Sequence, residues 1–302
     1  MNVFEADSRL AFTSAIIAAG ACVFAAIALV AAAVLVPLSF STFLFVVAAI
    51  GLVLLAAWLV LQGNQLRVVS YTLDRNAFII RWGDTREIVP MGDVQRVIAA
   101  TDIEKGLRFP RLPLPGWWFG TARHLALGEI RMYATAALDQ QVIIVTPERS
   151  YAVSPYDDEA FLDAFRTRLE MRPTQNVHHA RLLPAYTQWP IWRDVPALVL
   201  LILAIGLNFV TFGLSAGRFP GAPAQLALHF DSAGVADRLG EKAQLFGPAV
   251  IALLTLLVNV GAGLALYRKG ERLAAQLLWG GSIAVQLLFF VATVTIGFTL
   301  PS

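Results

Sequence analysis

Charge is scarce in this chain. Asp, Glu, Lys and Arg make up only 15% of its 302 residues, against 57% hydrophobic residues and a mean hydropathy of +0.65. A soluble domain usually holds about 25% charged and about 45–50% apolar residues, so the composition is that of a membrane protein. The net charge is +2 and the basic residues form no runs, which gives no footing for a nucleic-acid partner. Cysteine occurs once, as Cys22 inside an apolar run. That excludes an intrachain disulfide and a cysteine metal cluster, and leaves Cys22 as a small packing residue. There is no nucleophile elbow, no phosphate-binding loop and no histidine in the setting of a catalytic triad. No catalytic residue, cofactor or bound metal is therefore expected.

What charge there is sits in one place. Leu66 to Pro190 carries 29 of the 44 charged residues, 15 basic and 14 acidic. On either side the chain is almost wholly apolar. Ala11–Val36 and Phe43–Leu61 come before this island, and Val195–Leu214, Phe246–Leu266 and Leu273–Leu300 follow it. None of the five runs contains Asp, Glu, Lys, Arg or His. About 20 apolar residues in a helix cross a bilayer, so the reading is an α-helical polytopic membrane protein with five spans. The short turn Pro37–Thr42 makes the first two antiparallel neighbours. Lys and Arg beside the spans set orientation. Arg9, the island, Arg193 and Arg268-Lys269-Arg272 fall on one side, expected to be the cytoplasm, with the C-terminus outside.

Within the island the hydrophobic period changes to two. Val68–Leu73, Ala77–Trp82, Arg86–Val89, Val94–Ala99, Glu129–Ala134, Gln141–Thr146 and Tyr151–Ser154 read as strands. The stretch 101–128, rich in Pro and Gly, reads as irregular. A helix follows Asp157, with Phe161, Leu162, Phe165 and Leu169 on one face. One such helix suits the open end of a small antiparallel β-barrel or sandwich. The expected domains are a membrane hairpin over 1–64, the module over 65–172, a linker over 173–194, and a three-helix membrane domain over 195–302 with an outer loop at 215–245.

Several short motifs occur in a set order: Tyr71-Thr72-Leu73, Met91-Gly92-Asp93-Val94, Pro113–Gly120, Tyr133-Ala134-Thr135, then Tyr151-Ala152-Val153-Ser154-Pro155 with Asp157 and Phe161. This order resembles the bacterial membrane-linked PH-like domains of the pleckstrin-homology superfold. The resemblance implies a PH-like module inserted between spans. Lipid-reading members carry a basic cluster in the first hairpin loop. Here that loop is Asp74-Arg75-Asn76, which speaks against phosphoinositide binding. In the outer loop, Phe219-Pro220, Leu228-His229-Phe230-Asp231, Gly234, Asp237, Gly240 and Lys242 are similar to a domain of unknown function found in relatives of sporulation-delaying-toxin immunity proteins. That pattern usually has Leu-Pro where Phe219-Pro220 stands, and Trp where Leu239 stands.

Two places are candidates for interaction. Arg108, Arg111, Trp117, Trp118 and Phe119 mix basic and aromatic side chains, suited either to a lipid interface or to packing on the sheet or the membrane helices. His229, Asp231, Asp237 and Lys242 form the polar cluster of the outer loop. They are either part of a metal- or pH-responsive site or a turn-rich cover over the helix ends. His178 and His179 read as exposed linker residues. The uncharged amides Asn208, Asn259, Gln276 and Gln286 are expected to bond between helices, and Gly261–Gly263 and Gly280-Gly281 to allow close helix packing. Charge-free spans disfavour an ion-coupled carrier. The expected function is a non-enzymatic scaffold or signalling protein, with membrane lipids and a protein partner or a second copy as its contacts. The alternatives are an immunity or envelope-stress factor and, disfavoured by the spans, a transporter subunit.

Overall fold

The computed structural model describes residues 1–103, 115–171, 173–230 and 236–298. Five of its helices are long and apolar enough to cross a membrane: α1 (Arg9–Leu35), α2 (Phe40–Leu66), α4 (Val195–Arg218), α5 (Gly247–Arg268) and α6 (Arg272–Phe298). At 1.5 Å per residue, even the 22 residues of α5 exceed the roughly 30 Å of a hydrocarbon core. The chain divides into two compact units, Met1–Val23 with Val53–Thr187 and Phe24–Leu52 with Gln188–Ser302.

The first unit is built on two five-stranded sheets. One has the order β1 (Asn2–Glu5), β2 (Ser70–Leu73), β3 (Ala77–Trp82), β4 (Thr85–Pro90) and β10 (Ala180–Leu182). The other has the order β5 (Arg96–Ala99), β8 (Val142–Val145), β9 (Ser150–Val153), β7 (Gly128–Ala134) and β6 (Trp118–His124). The expected seven strands are all present, but the antiparallel barrel is corrected in two respects. It does not close, because β10 occupies the edge of β4 that β5 would need, and β1 occupies the edge of β2. The sheet is also not wholly antiparallel, since β7 and β9 run parallel from Ile130↔Ser150 to Tyr133↔Val153. β6 lies within the stretch expected to be irregular. β1 and β10 come from segments on either side of 65–172.

Two apolar layers follow from the period of two. Phe78, Ile80 and Val89 of the first sheet meet Tyr133, Val142, Ile144, Tyr151 and Val153 of the second. Alternate residues of the second sheet, including Ile130, Met132, Ile143 and Val145, form another cluster with Ala100 and Ala122. This explains why β8 is buried at every position. Helix α3 (Asp158–Glu170) is N-capped by Asp157, whose carboxylate accepts from Ala160 N–H at 2.9 Å. It buries Phe161 and Phe165 against Phe78, at ring separations of 6.0 and 5.4 Å. Each such ring contributes about 1.5–3 kcal/mol through burial.

β1 precedes α1 and β2 follows α2, yet the two strands are paired from Asn2↔Leu73 to Glu5↔Ser70. The α1–α2 hairpin therefore returns the chain to the side from which it left.

In the second unit, α4, α5 and α6 are tied by their amides. Asn208 donates to Gln286 Oε1 at 3.0 Å, Gln286 to the Ala252 carbonyl at 2.8 Å, and Asn259 to Ser282 Oγ at 3.0 Å. Asp194 N-caps α4 through Ala197 N–H and accepts from Tyr267 and Gln276. Burial works against its charge, but these bonds and the nearby Arg272 guanidinium outweigh burial and hold the carboxyl below its ordinary value. Among the glycines expected to allow close packing, Gly261, Gly280 and Gly281 face open space, whereas Gly263 lies directly against the indole of buried Trp279. Gly263→Ala is thus expected to destabilise the protein by about 1–3 kcal/mol through overpacking. Gly261→Ala should be neutral, or stabilising by about 0.5–1 kcal/mol. Tryptophan-fluorescence melting of the detergent-solubilised protein reads the difference, and equal shifts would refute the assignment.

Candidate functional site

An inward position on a strand normally holds an apolar side chain. On β4, Glu87 takes the same face as Val89 and has no exposure to water. An ionised carboxylate buried alone costs far more than a hydrogen bond returns, so it must be surrounded by donors. In the first sheet Arg181 of β10 stands directly opposite Glu87, with Nε 3.4 Å from Oε2. In the second sheet the period of two puts Arg131 and Tyr133 of β7 on one face, and Tyr151 of β9 lies beside Arg131. Arg131 Nη1 reaches Oε1 at 2.9 Å, Tyr133 donates to Oε2 at 2.8 Å, and Tyr151 donates to Oε1 at 3.4 Å.

His179 completes the set. Its Nε2 stands 3.0 Å from Glu87 Oε1 and 2.6 Å from the Tyr151 hydroxyl, and its ring stacks on that of Tyr151. His179 is exposed, as expected, but it is more than a linker residue: pairing of β10 with β4 sets this preceding residue against the cluster. Sequence reasoning overlooked Glu87 as well. The available signal was a lone acid at an inward position of a strand, followed by Ile88 and Val89.

The phenols respond to this environment. Burial, and then the charge of Glu87, raise both Tyr133 and Tyr151 above the ordinary phenol value. Tyr71 is pushed up to about 12, chiefly by burial. It donates to the Tyr133 carbonyl at 2.6 Å and accepts from Ser154 N–H at 3.1 Å. Chemically, the cluster is a carboxylate shared between two guanidinium groups and two phenols that keep their protons. It ties four strands, two from each sheet.

The aromatic candidates do not form one patch. Trp117 stacks on Trp58 of α2 at 5.8 Å and packs beside Ala19, Ala56 and Leu59. Trp118 packs on the cluster containing Ile130 and Met132. Phe119 stacks on Trp82 at 5.2 Å. The turn before them is held close to α1: Ser14 Oγ donates to the Pro115 carbonyl at 3.0 Å. Gly116 has φ +76, and a Cβ there would lie 2.9 Å from both Ala11 N and the Thr135 carbonyl. Arg108 and Arg111 lie outside the described residues.

The outer-loop candidates fall on a hairpin of β11 (Gln225–Phe230) and β12 (Ala236–Glu241). Backbone pairing sets His229 opposite Arg238, and Asp237 falls at a register shift. Asp231 lies outside the described residues. Lys242 donates to the Pro220 carbonyl at 3.3 Å and sits over the Phe219 ring at 4.6 Å. Near the first hairpin turn, Asn76 Oδ1 accepts from Thr174 N–H at 2.7 Å and Gln175 N–H at 3.1 Å.

Removing the charge of Glu87 strands Arg131 and Arg181. Glu87→Gln is expected to cost about 3–5 kcal/mol, whereas Glu129→Gln, at a half-exposed partner 3.8 Å from Arg131, should stay within about 0.5 kcal/mol. Matched losses in thermal unfolding would show that Glu87 is not the tie.

The raised phenols give a second expectation. Their protonated forms are favoured in the fold, so this stability is fully present below the ordinary phenol value near 10 and is lost as pH rises through the higher folded value, about 12 for Tyr71. Tyrosinate absorbance from Tyr71, Tyr133 and Tyr151 should appear only together with loss of β-sheet circular dichroism. Ionisation of all tyrosines before any loss of structure would contradict it.

No curated protein and no solved structure matches the chain. Residues 69–169 match the model of the bacterial PH domain family. The chain thus combines five helices apolar enough to span a membrane with a region, between the second and third of them, similar to the bacterial PH domain.

Proposed function

We propose that this is a non-enzymatic membrane scaffold or signalling protein whose PH-like module works by contact. The module is assigned to the cytoplasmic face by the Lys and Arg residues flanking the spans. The observation that carries this reading is the β6–β7 hairpin, whose tip presents Leu125 at 99% exposure. The neighbouring Leu127 is packed on the second apolar cluster, so the tip is held on a firm base. Around Glu87 the ionisable groups are committed to one another, which supports a mechanical role for them.

A second reading is an immunity or envelope-stress factor acting at the opposite face. It rests on the resemblance of the 215–245 loop and is supported by the β11–β12 hairpin, with Lys242 fastened to Pro220 and Phe219.

One experiment separates the two readings. A photoreactive residue is placed at Leu125, Glu148 or Gln225 of the full-length protein in its own membrane. The first reading expects a defined protein adduct from Leu125, absent from Glu148 and abolished when Arg123→Asp is added beside the tip. An adduct from Gln225 alone favours the second reading, and the same adducts from all three positions refute both.

A further inference from the structure

A cavity of about 690 Å³ opens at the N-terminal ends of α4 and α6, lined by Pro190, Arg193, Asp194, Arg272, Leu273 and Gln276 among others. We propose that it binds the phosphate of an anionic phospholipid headgroup.

The first argument is depth. α4 begins at Val195, α5 ends at Arg268 and α6 begins at Arg272. All three ends are held together, because Asp194 accepts from Tyr267 near the end of α5 and from Gln276 in the first turns of α6. Helices longer than the hydrocarbon core leave their terminal turns among the headgroups. The cavity therefore lies at the level of lipid phosphates.

The second argument is charge. Arg193 and Arg272 face a single lining carboxylate, that of Asp194, and its oxygens already accept from Ala197 N–H, Tyr267 and Gln276. No carboxylate among the described residues lies within salt-bridge distance of either arginine. The Arg272 guanidinium rests over the Tyr267 ring at 5.8 Å, which leaves its donor edge to other groups. A guanidinium presents a planar fork that matches two phosphate oxygens, which an ammonium does not.

The third argument is the wall. Leu273, 71% exposed, lies beside the arginines and continues into the apolar surface of α6, a path along which acyl chains can leave the site. Trp192, 57% exposed, adjoins Arg193 with the amphipathic ring typical of the membrane interface. A soluble phosphate has no use for this apolar exit, whereas a phospholipid does.

Native mass spectrometry of the full-length protein in detergent, titrated with phosphatidylglycerol, phosphatidylcholine or free glycerol phosphate, tests the proposal. Wild type should retain phosphatidylglycerol in preference to phosphatidylcholine. R193Q and R272Q should each weaken that retention about fivefold, and the pair about thirtyfold. R268Q/K269Q removes two nearby charges that do not line the cavity and should leave retention unchanged. The single variants keep the test open if the double variant does not fold. Equal losses in R193Q/R272Q and R268Q/K269Q would reduce the effect to general surface charge and overturn the site. Displacement of the lipid by millimolar glycerol phosphate would overturn the lipid assignment in favour of a soluble phosphate.

Discussion

The β-sheet unit depends on giving a carboxylate partners where no water reaches it. Glu87 has zero exposure, and the cost of such burial is several kcal/mol unless partners surround it. Its partners come from β7, β9 and β10 and from the residue just before β10. The cluster therefore cannot be assembled from residues 65–172 alone. It needs chain as far as Arg181, and the sheet that holds Glu87 needs β1 from the other end. Two strands from either side of 65–172 thus become edges of the sheet, and the α1–α2 hairpin leaves and rejoins the same sheet.

Stability and specificity divide between two kinds of contact here. The apolar layer of Phe78, Ile80, Tyr151, Phe161 and Phe165 supplies the bulk of the favourable burial energy. Apolar faces are, however, tolerant of how they meet. A carboxylate that must reach both Arg131 in one sheet and Arg181 in the other permits far fewer arrangements. The role of the charge is to fix how the two sheets face each other. Tyr71 acts similarly, joining the Tyr133 carbonyl to the Ser154 amide from the first sheet.

The parts legible in the sequence were those with a local period. The five apolar runs became five long helices, and β3 spans the Ala77–Trp82 read from its alternation. Helix α3 follows Asp157, as expected, and is capped by it. What was not legible is long-range. β1 and β10 are four and three residues long, too short to show a period, and they exist because an exposed sheet edge was available to pair. β6 was hidden by the prolines and glycines upstream of it, although Trp118, Thr121 and Ala122 belong to a regular antiparallel ladder with β7. His179 and Glu87 are separated by 92 positions in sequence, and only the β10–β4 register brings them together. Trp117, Trp118 and Phe119 read as one aromatic patch because they are adjacent, but a strand sends neighbours to opposite faces and the turn at Gly116 sends Trp117 elsewhere.

The membrane helices obey the same logic under a different solvent. In lipid, apolar surface gains little by meeting apolar surface, so association relies on close packing and on polar groups that find partners. Gly263 admits Trp279, and Asn208, Asn259 and Gln286 each bond to a neighbouring helix. These contacts depend on which faces meet, which is why an amide in an apolar run announces a partner without naming it. At the ends of the helices the accounting changes, because water and headgroups return. There Asp194 is satisfied within the protein by four hydrogen bonds, while Arg193 and Arg272 share that single carboxylate on the same cavity. Inside each unit the polar groups discussed above are answered by the chain itself. Two cations against one carboxylate leave an excess of positive charge, and in the proposal above that excess is what meets the anions of the membrane.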